Sequence, residues 1–307
     1  MSVEAFDRPS LARDMSPLHI LTITPFFPHA GNPVYGTYVS EPLELFSQTG
    51  QRSTVIGVSP LHHKRREPLP GGASEWMRYP SLPGNAGLSS AGFFLYYRLL
   101  PFVRQLNRRA RIDVIHAHAA LPCGHAASLL AERLHVPFVV TVHGLDVFNT
   151  CSMSGAGANS RARRSAHVYG RAASVVCISR SVEKILQQGM PTPVRSCIIH
   201  NGVDPEVFSP AEGPVPAQPP KILSVGNLIP TKGQDIILRA AAQVATSFPD
   251  LRVEIIGEGP ERERLSDLAR SLGTGERISF LGRQGREAVA KAMRECTIFA
   301  LPSRFEG

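Results

Sequence analysis

The sequence has few cysteines, and they do not form the patterns that hold together small secreted domains or zinc sites. The 307-residue chain contains five, scattered along its length with no C-x-x-C pair. A dispersed set of this kind is typical of a reducing compartment, in which most cysteines are small core residues. A disulfide or zinc framework is therefore not expected.

Long apolar runs are also missing. No stretch reaches the ~18 consecutive apolar residues that a membrane-spanning helix requires. Residues 1–16 mix acidic and basic side chains and lack the apolar core of a signal peptide. The sequence predicts a short disordered leader over residues 1–16 and a cytoplasmic protein.

Acidic residues are outnumbered by basic ones. The chain has 33 Lys and Arg against 25 Asp and Glu, a formal charge of +8, while 43% of its residues are hydrophobic. A globular protein with this excess is expected to meet an anionic partner, and nucleotides, phospholipid surfaces and nucleic acids would each qualify. The basic clusters at residues 62–66 and 161–164 carry no signature of a nucleic-acid-binding module, so no nucleic-acid partner is expected.

Strand-length apolar runs alternate with helix-length amphipathic segments, which is typical of βα units and a parallel sheet. In the first part of the chain the predicted strands cover residues 18–24, 53–58, 113–117, 138–142, 174–178 and 196–200. In the second part they cover residues 222–225, 252–256, 278–281 and 298–301. The sequence therefore predicts an α/β protein with doubly wound sheets.

A proline-rich segment separates the two parts. Residues 209–220 contain five prolines in twelve positions, which disfavours helix and strand and predicts a stiff, extended linker. Domains are expected at residues 17–208 and 221–307. Doubly wound domains bind ligands where the carboxyl ends of their strands face an open crevice, so the expected site is a cleft between the two domains.

The segment 222–238, ILSVGNLIPTKGQDIIL, is the most informative part of the chain. An apolar strand leads through a loop with a single lysine, Lys232, into a helix expected to open at Gly233. The first amides of a helix lack intrahelical partners and lie at the positive end of its dipole, and the lysine adds a full charge beside them. The pattern predicts a phosphate-binding loop, although an ordinary βα turn has the same outline.

Three further motifs carry a family resemblance: IHNGVD at residues 199–204, IIGEGPERERL at 255–265 and TIFALPSRFEG at 297–307. Together with the lysine loop they resemble the retaining glycosyltransferases of family 4. The resemblance implies the GT-B fold, with two Rossmann-like domains facing a cleft. In that family PSRFEG begins a motif of two glutamates with seven residues between them. Glu306 matches the first, so the chain is expected to end within the donor motif, with its second domain incomplete.

The resemblance implies transfer of a sugar from a nucleotide diphosphate sugar to an acceptor hydroxyl, with retention of configuration and without metal or other cofactor. Lys232 would hold the leaving diphosphate, and Glu306 would position the donor sugar. The residues expected to border the donor are Gly31, Gly36, Thr37, Asn201, Gly226, Asn227, Gly233, Gly257, Gly259, Arg283 and Arg304. Many family members have arginine where this chain has the uncharged Asn227, so Arg304 is expected to assist Lys232. The glycines of the first loop, residues 23–38, also fit ordinary turn geometry.

His143 ends the predicted strand 138–142 in the sequence TVHG. The resemblance places a histidine of this motif near the acceptor and the transferring sugar, where it could donate to a hydroxyl near neutral pH. A hydrogen-bonded strand-end histidine without a catalytic role is the alternative. Asp146 would either orient a hydroxyl or cap the following segment.

His116 and His118 form an H-x-H pattern, and His125 follows downstream. Alternate strand residues share one face, as metal ligands can, but no partner set rich in Asp, Glu or Cys accompanies them beyond Cys123. No metal site is expected, and the resemblance places His118 in the wall of the cleft.

Residues 88–111 combine aromatic and aliphatic residues with several arginines, and Pro101 is expected to interrupt them. The segment is interpreted either as a core-packing helix with a solvated basic end or as a membrane-surface helix that brings the enzyme to a lipid-linked acceptor. Contact with the anionic inner face of a membrane therefore stays open.

The leading hypothesis is a glycosyltransferase of polysaccharide or glycolipid synthesis. An inactive fragment that at most binds a sugar nucleotide or a membrane is the second. A non-hydrolysing nucleotide-sugar epimerase is the third, and the PSRFEG ending disfavours it. A dehydrogenase is excluded, because the G-x-G at Gly257 and Gly259 has Arg262 at the third glycine position.

Overall fold

The computed structural model describes residues 17–70, 72, 74–84, 87–144, 146–147, 158–210 and 219–304. The chain forms two compact units, which divide between Asn201 and Gly202. The expected leader, residues 1–16, and most of the expected linker, residues 211–218, lie outside the described residues.

The division between the units falls earlier in the chain than the domain boundary expected at residue 208. Arg294 Nη1 donates a hydrogen bond to the carbonyl oxygen of Val207 at 3.1 Å, and the Arg286 guanidinium lies 5.4 Å from the ring centre of Phe208. Val207 and Phe208 therefore pack with the second unit, through contacts to a distant helix that the local sequence does not indicate.

The first unit is built on a seven-stranded parallel sheet. Its strands are β1 His19–Thr24, β2 Arg52–Pro60, β3 Ser74–Tyr79, β4 Val114–His118, β5 Phe138–Val142, β6 Ser174–Cys177 and β7 Ser196–Ile198, in the order β3-β2-β1-β4-β5-β6-β7. The strand order reverses between β1 and β4, which is where sheets of this type bind ligands.

The helices around this sheet are α1 Thr37–Gln48, α2 Leu88–Arg109, α3 His125–Leu134, α4 Ala158–Arg171 and α5 Arg180–Gln188, with a π-helical turn, Ala120–Gly124, before α3. One face of α2 buries Leu95, Leu99 and Val103 completely, as a core-packing helix does. Pro101 does not interrupt α2 as expected, because it lies on the exposed face, where water can replace the missing hydrogen bond. No helix in the described ranges has the length and apolarity needed to cross a membrane.

β3 is not among the strands predicted from the sequence. It lies at the edge of the sheet and includes Glu75 and Arg78, so it lacks the apolar run that marks a central strand. Its Trp76 packs on Gly57 of β2, where a Cβ atom would lie 2.6 Å from the indole ring. The alternation of polar and bulky residues in SEWMRY was the available signal.

The second unit has a four-stranded parallel sheet and a smaller core. Its elements are β8 Lys221–Val225, α6 Gln234–Val244, β9 Arg252–Ile256, α7 Arg262–Ser271, β10 Ile278–Gly282, α8 Arg286–Glu295 and β11 Ile298–Phe299, with the strands in the order β10-β9-β8-β11. Leu223, Leu238 and Ile255 are fully buried. Both units thus have the parallel, Rossmann-like arrangement that the alternating pattern predicted.

Candidate functional site

The predicted phosphate loop leaves the carboxyl end of β8 and reaches α6 through a 3-10 turn, Pro230–Lys232. Gly233 follows in the left-handed conformation, with a φ of 67°, and caps α6. A Cβ atom at Gly233 would lie 2.2 Å from the carbonyl oxygen of Pro302, so the segment after β11 closes against the start of the helix. Conformation and contact both require glycine at this position.

Gln234, the first residue of α6, fastens the loop to the helix. It is 2% exposed, and its Nε2 donates a hydrogen bond to the carbonyl oxygen of Asn227 at 3.2 Å. The partly buried side chain of Lys232 passes over Gly226, with its Cδ 3.7 Å from where a Cβ atom would lie. The structure therefore brings the lysine, the loop glycine and the helix start together. Gln234 was not among the residues expected at this site, although a polar residue directly after Gly233 was a signal.

The ends of β8, β9 and β10 meet through glycines. The backbone amide of Gly257 donates to the carbonyl oxygen of Gly282 at 2.8 Å. A Cβ atom on Gly257 would lie 2.0 Å from the carbonyl oxygen of Gly226, and one on Gly259 would lie 2.3 Å from that of Leu228. Packing between the loop backbones explains why residues 257 and 259 are glycine. Their expected contact with a nucleotide stays a prediction.

Arg304 connects the segment after β11 to the phosphate loop. Its backbone amide donates to the carbonyl oxygen of Thr231 at 2.8 Å, and its Nη1 donates to that of Pro230 at 2.6 Å. Its Nη2 lies 2.8 and 3.0 Å from the two carboxylate oxygens of Asp235, and this hydrogen bond lowers the pKa of Asp235. The guanidinium is engaged by an acid in the first turn of α6, and its expected assistance to Lys232 stays a prediction.

A cavity of about 450 Å³ opens beside this ion pair, lined by Pro230, Thr231, Asp235, Glu261, Arg264 and Arg304. Its arginines are paired with its acids. Arg264 Nε donates to Glu261 at 2.6 Å, as Arg304 does to Asp235. Because these charges pair with each other, the side chains that line this cavity offer little net charge to an anion.

Other expected donor residues lie on the surface. Asn227 and Arg283 are exposed in the second unit, and Asn201 is exposed at the end of the first. Glu306, which was expected to position the donor sugar, lies outside the described residues. The roles of all four stay predictions.

The first loop of the first unit needs glycine at one of its two expected positions. Gly36 has a φ of 71°, and a Cβ atom there would lie 2.4 Å from the backbone of Phe26. α1 then begins at Thr37. Gly31 is under neither constraint, since a Cβ atom there would meet the His29 ring at an ordinary 3.4 Å. A close backbone approach is therefore found at Gly36 and not at Gly31.

Arg66, from the basic cluster at residues 62–66, holds this loop in place. Its Nη1 donates to the carbonyl oxygen of Pro25 at 2.8 Å. Its guanidinium lies 4.9 Å from the ring centre of Tyr35 and 5.3 Å from that of Trp76, which are cation–π distances. Nothing in the local sequence indicates that this cluster reaches back to the residues after β1.

His118 and His143 meet at the adjoining ends of β4 and β5. His118 Nδ1 lies 2.9 Å from His143 Nε2, within hydrogen-bonding distance. Beside them, His116 Nε2 lies 2.7 Å from Thr141 Oγ1. Burial lowers the pKa of His116 and of His143 to about 4 and holds the pKa of His118 well below its usual 6.5. All three rings are therefore neutral at neutral pH.

His143 is surrounded by aromatic rings and a carboxylate. The ring centres of Phe26 and Tyr38 lie 5.6 and 4.8 Å from its own. The His143 backbone amide donates to Asp146 Oδ1 at 2.9 Å, so Asp146 closes the turn after β5, and its expected contact with a hydroxyl stays a prediction. Burial raises the pKa of Asp146 to about 6, although nearby backbone amides act to lower it.

His125 does not join His116 and His118. It is buried against the Phe93 ring, with ring centres 4.6 Å apart, and its Nε2 lies 3.5 Å from Arg164 Nη1. Within the part of the chain that the structure describes, no three His, Cys, Asp or Glu side chains are placed to hold a metal ion together. His125 is therefore a packing residue.

Comparison with known proteins yields matches over most of the chain. Residues 36–207 match the family model described as Glycosyltransferase Family 4, and residues 208–307 match the model described as Glycosyl transferases group 1. The chain is 30% identical over 198 residues to an uncharacterized glycosyltransferase of Methanocaldococcus jannaschii, which covers 64% of this chain and 51% of that protein. It is 31% identical over 211 residues to the D-inositol 3-phosphate glycosyltransferase of Mycobacteroides abscessus, which covers 63% and 46%.

Among solved structures, sucrose-phosphate synthase from Thermosynechococcus elongatus is similar to this chain with a TM-score of 0.69 and 18% identity, over 94% of this chain and 76% of that one. This likeness concerns the fold. The chain spans about half the length of the curated relatives it matches.

Proposed function

We propose that this chain, which belongs to glycosyltransferase family 4, transfers a sugar from a nucleotide diphosphate sugar to a hydroxyl group. The hydroxyl belongs to a carbohydrate or lipid-linked acceptor, and the reaction is part of polysaccharide or glycolipid synthesis. The transfer retains the configuration of the donor sugar and uses no metal or other cofactor. The observation that carries the proposal is the meeting of Lys232, Gly233 and the start of α6 at the end of β8.

Departure of the nucleoside diphosphate leaves negative charge on its phosphate oxygens as the bond to the sugar breaks. Lys232 supplies an ammonium group to this charge, and the first amides of α6 supply donors at the positive end of the helix dipole. Groups that are already in place stabilise the developing charge without reorganising during the reaction. Asn227 cannot contribute charge, so Lys232 and the helix start neutralise the leaving group.

In the same proposal His143 meets a hydroxyl of the reacting sugar or of the acceptor, and Glu306 positions the donor sugar. Phe26 and Tyr38 offer ring faces beside His143 on which the C–H groups of a sugar can pack. These contacts would orient the hydroxyl for reaction.

Product analysis tests the proposal. The full-length protein is incubated with UDP-, GDP- and ADP-sugars and with acceptors that include an inositol phosphate and lipid-linked saccharides, in the presence and absence of EDTA. The anomeric configuration of the product is then read by proton NMR. Retained configuration and turnover that resists EDTA are expected; inverted configuration, or activity abolished by EDTA, would contradict the proposal.

Binding without transfer is a second candidate for this chain taken alone, because it spans about half the length of its curated relatives. Calorimetry with the same sugar nucleotides, run beside a transfer and hydrolysis assay, separates the two candidates. Heat of binding without product indicates a binding module, and a changed sugar in the absence of acceptor indicates epimerisation.

We also propose that α2 rests on an anionic membrane surface at the inner, cytoplasmic face. Phe94 and Tyr97 are 48% and 68% exposed. At helical spacing, Arg104 and Arg108 share this side, and α2 contains no acidic residue. Exposed aromatic rings and arginines on one side of a helix suit the boundary between lipid headgroups and acyl chains.

A further inference from the structure

The imidazole rings of His118 and His143 lie nearly in one plane. Their planes differ by 13° and their centres are 5.2 Å apart, while Nδ1 of His118 lies 2.9 Å from Nε2 of His143. The distance between the ring centres equals the Nδ1···Nε2 distance plus the radius of each ring. The contact is therefore a hydrogen bond lying in both ring planes, the geometry in which such a bond is strongest.

A hydrogen bond between two ring nitrogens needs one N–H group and one lone pair. Since both rings are neutral, each carries one proton, and two arrangements exist. If His118 Nδ1 donates, His143 carries its proton on Nδ1. If His143 Nε2 donates, both histidines carry their protons on Nε2, which is the preferred position in a neutral histidine, and His143 Nδ1 keeps a lone pair. The second arrangement places both protons on the preferred nitrogen.

In this arrangement His143 Nδ1 is left without a partner. It is buried and has no hydrogen-bond partner among the described residues. His118 is 5% exposed, and its Nδ1 is taken up by His143. A buried nitrogen without a partner is unfavourable, and a ligand hydroxyl would satisfy it.

We propose that His118 is a positioning residue that accepts the Nε2 proton of His143 and so fixes the plane and the tautomer of that ring. His143 Nδ1 then presents a lone pair to a hydroxyl of the reacting sugar or of the acceptor. The nature of this hydroxyl rests on the proposed function. The ligand group at Nδ1 must be a hydrogen-bond donor, which excludes a phosphate or carboxylate oxygen there. His118, expected from the sequence in the wall of the ligand cleft, acts through its neighbour.

Nitrogen NMR of the full-length protein labelled with [15N]histidine tests the tautomer without turnover. At pH 7 the wild-type His143 is expected to show a bare Nδ1 and a protonated Nε2. In His118→Leu, which removes the acceptor, the two signals should move toward each other as the tautomers exchange. The value of kcat should fall about 10²-fold through misplacement of the ring, with the donor KM nearly unchanged.

Two further variants separate positioning from a loss of packing. In His118→Asn the amide oxygen takes the place of Nδ1, so both the His143 signals and kcat should recover. In His118→Gln that oxygen is displaced by one carbon, so neither should recover. His125→Gln, a change to a buried histidine that packs against Phe93 and lies outside this pair, is the matched control and should leave the His143 signals in place. Thermal unfolding shows which variants are folded.

A proton on His143 Nδ1 in the wild-type protein would overturn the proposal. Unaltered His143 signals in a folded His118→Leu or His118→Gln variant would overturn it as well. If the proposed function is wrong but the positioning role of His118 is right, the expected tautomer would be observed. No sugar nucleotide or acceptor would then shift the His143 signals or be turned over.

Discussion

Arg304 Nη2 donates to both carboxylate oxygens of Asp235, so its charge is engaged by the first turn of α6. An acid in this turn favours the helix through its dipole, yet it would repel a phosphate at the same helix start. Arg304 therefore acts on the phosphate loop by neutralising Asp235 and by tying its own backbone to Thr231.

The variant Arg304→Gln should weaken binding of a nucleoside diphosphate roughly fivefold, because an unpaired Asp235 would then repel the ligand. In the double variant with Asp235→Asn most of the affinity should return. Calorimetry with UDP, GDP and ADP measures both, and Arg270→Gln, which breaks a surface ion pair with Asp267, is the control. A double variant as weak as the single would mean that Arg304 binds the phosphate directly.

The variant Lys232→Ala should lower kcat by roughly 10²- to 10³-fold, because it removes a fixed charge that stabilises the leaving diphosphate. Transfer assays on the full-length protein measure this loss. Lys291→Ala is the matched control, since this exposed lysine of α8 lies 3.8 Å from Glu295 and should have no effect. Turnover unchanged by Lys232→Ala would refute the phosphate assignment.

The variant Gly233→Ala should destabilise the protein more than Gly273→Ala. Both glycines have a positive φ, of 67° and 70°, so alanine at either costs roughly 1–2 kcal/mol in conformation. A Cβ atom at Gly233 also collides with Pro302, whereas nothing lies within 4 Å of one at Gly273. Urea unfolding should show an extra loss of about 1 kcal/mol or more for Gly233→Ala. Equal losses would show that Pro302 moves aside freely.

Acidification should destabilise the protein through its buried histidines. His116, His118 and His143 have a lowered pKa in the folded state, so the unfolded state binds more protons once the pH falls below 6.5. The stability they contribute is present above pH 6.5 and is lost as the pH falls. Asp146, with its pKa raised to about 6, has the opposite effect, since its contribution is lost as the pH rises through that value. It is one group against these three histidines and His125, whose pKa burial also lowers to about 4.

Urea unfolding at several pH values checks this balance. Between pH 7 and pH 5 the wild-type protein should lose roughly 1–2 kcal/mol more of its unfolding free energy than His116→Gln, which lacks one of the titrating rings. Identical slopes for the two proteins would mean that His116 does not titrate in this window.

Binding to vesicles tests the surface proposed on α2. The pair of changes Arg104→Gln and Arg108→Gln should reduce binding to phosphatidylglycerol vesicles at least tenfold, since each arginine contributes about 1 kcal/mol near an anionic surface. Phe94→Ser with Tyr97→Ser should also reduce it. Phe248→Ser, at a phenylalanine that is 53% exposed in the second unit, is the control. Equal sedimentation with neutral phosphatidylcholine vesicles would contradict the proposal.

The central strands could be predicted because both of their faces are buried. Ile115 and Val140 are fully buried, so β4 and β5 read as apolar runs, and the predicted strand 138–142 agrees with β5 residue for residue. β3 could not be found in this way, because an edge strand tolerates charged residues such as Glu75. The pattern therefore indicates the middle of a sheet better than its margins.

Some residues of the candidate site can likewise be predicted from the local sequence, and others cannot. Gly36 and Gly233 carry local signals, because a glycine directly before a helix is read from neighbours in the chain. The contact of Arg66 with Trp76 depends on segments joined only by folding. The same holds for the His118–His143 hydrogen bond, which requires the register that pairs His118 with Thr141. Such contacts are set by tertiary structure, and no local pattern contains them.

The glycines that join the ends of β8, β9 and β10 constrain how this edge of the second unit can vary. Main chain meets main chain there with no side chain between, so neither loop can accept a larger residue at Gly257 or Gly259 without moving its neighbour. If these turns border the donor as proposed, differences in donor preference depend on side chains that project outward from them, such as the exposed Glu258 and Arg283. The glycines of the two turns then maintain the backbone packing, while their exposed neighbours are free to vary.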